Sequence, residues 1–161
     1  MAKDILQDTD TLPEGLTLNS FLPYRLTMLA DQVSRTAAQI YADRFDLTRP
    51  EWRIIASLSE LGPVSATEIC AHSTQDKMTV SRAVASLEAR GLLRRHDAPH
   101  DRRNKILDLT QAGRALYRKI VPLILARETY LLESFSPEER ATLNRLLEAL
   151  LMRARDLEQR G

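Results

Sequence analysis

The chain has 161 residues, 43% hydrophobic and 28% charged, which is the composition of a folded domain and excludes a disordered polyelectrolyte. Its net charge is only +1, and no apolar run approaches the roughly 18 residues of a membrane span. The single cysteine, Cys70, excludes an intrachain disulfide, and the acidic start MAKDILQDTDTLPEG lacks a signal-peptide pattern. A cytoplasmic protein with no membrane partner is expected.

Residues 1–18 show no sustained period and read as a flexible N-terminal arm. From Phe21 to Phe45, apolar residues recur at Leu22, Leu26, Leu29, Val33, Ala37 and Ile40, the spacing of a helix. Thr48-Arg49-Pro50-Glu51 opens a second helix with a capping box, and Gly62-Pro63 ends it. Ser65 and Glu68 form another box, which starts a short helix to about His72. A polar turn over 73–76 leads into an amphipathic helix whose buried stripe is Val80, Ala83, Val84 and Leu87 and which Gly91 stops. Leu92–His96 and Lys105–Leu109 read as strands, joined by an extended loop over Asp97–Asn104. Gln111 to about Phe135 returns to helix, and Ser136-Pro137-Glu138-Glu139 caps a last helix lined by Leu143, Leu146, Leu147, Leu150, Leu151 and Leu157.

A short helix, a tight turn, a second amphipathic helix and a charged hairpin form a winged helix-turn-helix. The fold class is therefore mainly α with a small β-hairpin wing. Residues 47–110 form the winged domain, flanked by helices over 19–46 and 111–161. Those outer helices are too apolar to stand alone. They either cover their own domain or pair two subunits, and pairing is the more economical solution.

Charge is uneven along the chain. Residues 1–46 carry four basic residues against seven acidic ones, whereas 76–105 carry eight basic against four acidic, a local net of +4. A basic segment in a near-neutral protein marks a localised phosphate contact, which points to double-stranded DNA. A winged protein-interaction module with an incidentally basic face is the alternative from another class.

Several local patterns, in order, resemble the MarR family of winged helix-turn-helix regulators over about residues 20–155. They are Leu47-Thr48 with Trp52 and Ile55; Thr79-Val80-Ser81-Arg82 with Leu87-Glu88-Ala89-Arg90-Gly91-Leu92; and Asp101-Arg102-Arg103 with Leu107-Asp108-Leu109-Thr110 and Gly113. The resemblance implies a homodimeric transcriptional regulator, most often a repressor, released from a palindromic operator by a small aromatic or phenolic ligand or by an oxidant. Carried over by position, Thr79, Ser81 and Arg82 would face the major groove, with Ser73 and Lys77 near phosphates. Arg103 would enter the minor groove from the wing beside Arg102 and Lys105, and Asp101 would hold the wing by an ion pair. Arg82 has a second reading, as an intramolecular partner of an acid or the backbone.

An effector such as an aromatic carboxylate would sit near Tyr24, Arg25 and Trp52. Arg25 would pair with its carboxylate and the aromatic rings would wall it. Trp52 reads slightly better as plain core, and Arg25 equally as one half of an intersubunit ion pair. Cys70, beside Ile69 and Ala71, reads as a small core residue, with redox sensing as the alternative. His96 and His100 lie four apart, with Asp97 and Asp101 close by, but not on one helical face, so no metal site is expected. No catalytic residues and no cofactor are expected, because phosphate loops, nucleophile elbows and metal-ligand helices are missing from the sequence.

Overall fold

The computed structural model describes residues 17–98 and 101–160, and for residues 98 and 101–104 it describes the backbone alone. The arm expected over 1–18 therefore lies almost wholly outside the described residues. The chain divides into two units, 1–36 and 37–161. The first holds a 3-10 turn at Leu18–Ser20 and the greater part of α1 (Leu22–Phe45). Its apolar side chains Leu22, Leu26, Met28, Leu29 and Val33 are exposed.

The second unit continues with α2 (Arg49–Leu61), β1 (Val64–Ser65), α3 (Ala66–Ser73), α4 (Lys77–Ala89), β2 (Leu93–Ala98), β3 (Asp101–Leu109), α5 (Gln111–Leu132) and α6 (Pro137–Arg160). The capping boxes at Thr48 and Ser65 are both closed, each carboxylate reaching back to the cap residue's N–H. Gly91 ends α4 in the left-handed region at φ +68°. Gly91 N–H then donates to Glu88 and Leu92 N–H to Leu87, a Schellman motif.

One core fills this unit. Ile54, Ile55 and Leu58 of α2 meet Ile69, Val80, Val84, Leu87, Leu93, Leu107, Leu109 and Ile120. The sheet runs β1-β3-β2, all antiparallel, with Val64 opposite Leu107 and Leu93 opposite Leu109. β1 is too short to show a period in the sequence and was not expected.

The hairpin corrects a second expectation. Residues 97–104 are mostly strand, not loop, since β2 reaches Ala98 and β3 starts at Asp101. Asp97 lies opposite Lys105 and pairs with it, so a cross-strand ion pair extends a ladder that has no apolar alternation to announce it. Beyond that pair the register shifts, and Ala98 lies opposite Asp101.

No residue of α6 is buried among those described, although Leu146, Leu147, Leu150, Leu151 and Leu157 all lie on it. No helix among the described residues is long and apolar enough to cross a membrane.

Candidate nucleic-acid interface

The inner stripe of α4, formed by Val80, Ala83, Val84 and Leu87, packs on the core and turns the rest of the helix outward. Lys77, Met78, Ser81 and Arg82 are exposed, and Arg82 has no ion-pair partner among the described residues. Asp76 caps the helix. Its carboxylate accepts from Thr79 N–H at 2.8 Å and from the Thr79 hydroxyl at 2.7 Å. Those two hydrogen bonds hold the Asp76 carboxyl below its usual range. The pattern Asp-x-x-Thr was available in the sequence as a cap signal, but the residue read there only as part of a polar turn.

Thr79 therefore belongs first to the cap, and only its hydroxyl lone pairs remain for a nucleic acid. Ser73 is engaged further still. It is buried and its hydroxyl donates to Ile69 O at 2.7 Å, while its own carbonyl accepts from Arg53 at 3.2 Å. Its polar atoms hold the turn together and are not presented to a phosphate. Thr74 follows in the left-handed conformation (φ 54°), which reverses the chain between α3 and α4.

Two buried carboxylates brace this reader, and neither was expected. Glu51 closes the α2 cap and also accepts from the Ser86 hydroxyl of α4 at 2.5 Å. Burial pushes its carboxyl up, but the bonds from Ser86 and Thr48 and the nearby Arg90 charge outweigh that and hold it below the usual value. Arg90, 3.8 Å from Glu51, reaches on to the carbonyls of Asp46 (2.7 Å) and Phe45 (3.1 Å) at the end of α1.

Asp108 on β3 is the second brace. It takes Arg94 of β2 and Arg114 of α5, each at 2.7 Å, with its own side chain 5% exposed. Here too burial raises the carboxyl and the two arginines lower it further. The root of the wing is thereby tied to α5.

At the wing, Lys105 is exposed and paired with Asp97, and Arg95 pairs with Glu88 of α4 at 2.9 Å. Residues 101–103 lie on β3, but the side chains of Asp101, Arg102 and Arg103 are outside the described residues, as is His100. His96 is exposed on β2, and no cluster of metal-ligating side chains occurs among the described residues.

Tyr24 and Arg25 lie in the first turn of α1, where they line a shallow groove with Asn19, Leu22, Met28 and Leu29. Trp52, in the other unit, stacks on Tyr41 and on Tyr117, each at a centroid distance of 5.9 Å. The indole is half-buried against the core, and it also lines a shallow groove with Arg53, Ser57, Glu60 and His72. Cys70 is half-buried at the edge of the core, as a small apolar residue would be.

An outward polar helix beside a braced two-stranded ribbon defines a winged helix-turn-helix DNA-binding protein. A family model described as MarR family matches residues 45–104. A solved MarR family transcriptional regulator from Silicibacter pomeroyi DSS is 30% identical with a TM-score of 0.72, over 84% of this chain and 90% of that one. The transcriptional repressor NicR of Pseudomonas putida is 27% identical over 148 residues, 88% of this chain and 93% of its own. Bordetella bronchiseptica BpsR, solved in a study of how 6-hydroxynicotinic acid regulates its DNA binding, shares the fold, with a TM-score of 0.75 at 24% identity over 84% of this chain and 96% of its own. The chain belongs to the MarR family of transcriptional regulators. Its named relatives are transcriptional regulators.

Proposed function

We propose that the chain is a cytoplasmic homodimer that binds a palindromic operator as a repressor and is released by a small aromatic ligand. The observation that carries the DNA-binding part is the outward face of α4 with Lys77, Ser81 and Arg82 exposed. In this reading α4 enters the major groove, and the wing brings Arg102, Arg103 and Lys105 to the backbone and minor groove, with Asp101 bracing them.

Dimerisation is supported by α6, a 24-residue helix without a buried residue, and by exposed Leu125, Tyr130, Leu131 and Phe135 along α5 and just after it. Apolar stripes of that length need a cover, and a second copy covers them symmetrically. Sedimentation at micromolar concentration is expected to give twice the chain mass. A single-chain mass would remove the dimer from the proposal.

Operator binding is tested by selecting bound DNA from a random pool, with an inverted repeat expected. Replacing Arg103 with alanine should then weaken binding and flatten the slope of log affinity against log salt by about one unit. An unchanged slope would count against the wing assignment.

The named repressor NicR supports repression, and the regulation of BpsR's DNA binding by 6-hydroxynicotinic acid, an aromatic carboxylate, supports this class of effector. Arg25 and Tyr24 are the candidate contacts, one for a carboxylate and one for a ring. A ligand acts only through its differential affinity for the operator-competent state.

A further inference from the structure

Successive residues on a helix are about 100° apart, so the buried stripe of α4 fixes the facing of every other position. Met78, Arg82 and Ala85 lie within about 30° of the direction opposite that stripe, whereas Lys77, Thr79 and Ser81 sit about 70° or more to the sides. The centre of the outward face thus holds a methionine and an arginine. Between Leu47 and Thr110, only Leu61 and Met78 are exposed among the described large hydrophobics, and Met78 is the more exposed at 63%.

Exposed single hydrophobics are ordinary elsewhere on a surface, but here position gives Met78 a meaning. It stands in the first turn of α4, the end of a recognition helix that meets base edges. The neighbouring Thr79 hydroxyl, which sequence favoured for that role, is held by Asp76. Of the four bases, only thymine shows an apolar group in the major groove, its 5-methyl. An unbranched thioether adapts its shape to such a group without demanding a hydrogen bond.

We propose that Met78 is a specificity-determining residue whose side-chain tip packs on a thymine methyl in each half-site, next to the base edge that Arg82 contacts. This rests on the reading above that α4 enters the major groove.

The test uses the full-length protein and the operator recovered by selection. Each thymine is replaced in turn by deoxyuridine, which deletes the methyl and leaves every hydrogen-bonding group in place. Wild-type protein should lose about fourfold in affinity at one thymine per half-site, the value of one buried methyl-sized group. Met78→Ala should be insensitive to uridine at that same position, and Met78→Leu should keep the sensitivity. Wild-type binding indifferent to every methyl overturns the assignment, and so does Met78→Ala with undiminished sensitivity. If the wild-type chain retains no DNA from the pool, the DNA-binding reading itself fails and the Met78 assignment falls with it.

Discussion

Replacing Gly113 with alanine should destabilise the protein by about 3 kcal/mol, the upper range for forcing an extra carbon into a packed site. Gly113 is buried in the first turn of α5, and a Cβ built there would lie 2.1 Å from the carbonyl oxygen of Leu92. That oxygen belongs to rigid backbone. It accepts from Thr110 N–H at 3.1 Å, while the Thr110 hydroxyl holds Gly91 O at 2.7 Å. The clash therefore cannot be relieved by turning a side chain. Either α5 moves off the start of β2 or the Thr110 cap breaks. Urea unfolding of the two proteins measures the effect, and stability within about 1 kcal/mol of wild type would mean that α5 shifts freely.

The second large effect falls on Glu51. Truncation to alanine removes the acceptor for Thr48 N–H, the Thr48 hydroxyl and the Ser86 hydroxyl together. A loss of about 2–3 kcal/mol is expected, below the full cost of breaking a buried pair because Arg90 is one-third exposed and rehydrates. Glu51→Gln should cost less, since its amide oxygen still accepts.

The effect also has a pH signature. The folded-state carboxyl lies below its ordinary value, so its stabilisation is fully present above the ordinary glutamate range. It is lost as pH falls through the lowered folded value. The difference between wild type and Glu51→Ala should stay constant from about pH 8 to 6 and shrink below about pH 4. A difference that grows on acidification would contradict the hydrogen-bonded carboxylate.

Which parts of this molecule were legible beforehand follows from the range of the interactions. Thr48, Ser65 and Ser136 cap helices through residues two or three positions away, so a window of four residues revealed them. The stripe of α4 and the stop at Gly91 are local for the same reason. Glu51 showed its capping role in sequence but not its bond to Ser86, which lies 35 residues along the chain. In sequence Asp108 shows only as a polar residue between Leu107 and Leu109 on the strand over 105–109. Its two arginines come from β2 and α5, and only the folded sheet brings them together. Ser73 was placed near a phosphate by the resemblance alone, and its burial and its bond back to Ile69 depend on packing that the sequence does not show. Trp52 was ambiguous because a single aromatic residue does not say what it stacks on.

The internal ion pairs of the basic segment carry a consequence for the thermodynamics of the proposed operator binding. Arg90, Arg94, Arg95 and Lys105 each already face a carboxylate of the chain, namely Glu51, Asp108, Glu88 and Asp97. A phosphate that displaces Asp97 from Lys105 exchanges one anion for another and liberates little of the ion atmosphere around DNA. Lys77 and Arg82 have no acidic partner among the described residues, so in the proposed complex their contacts would release condensed counterions in full. In that complex the counterion entropy comes from the unpaired cations and not from every cation that composition counts. Arg90, Arg94 and Arg95 act by shape, holding helix and ribbon in one posture.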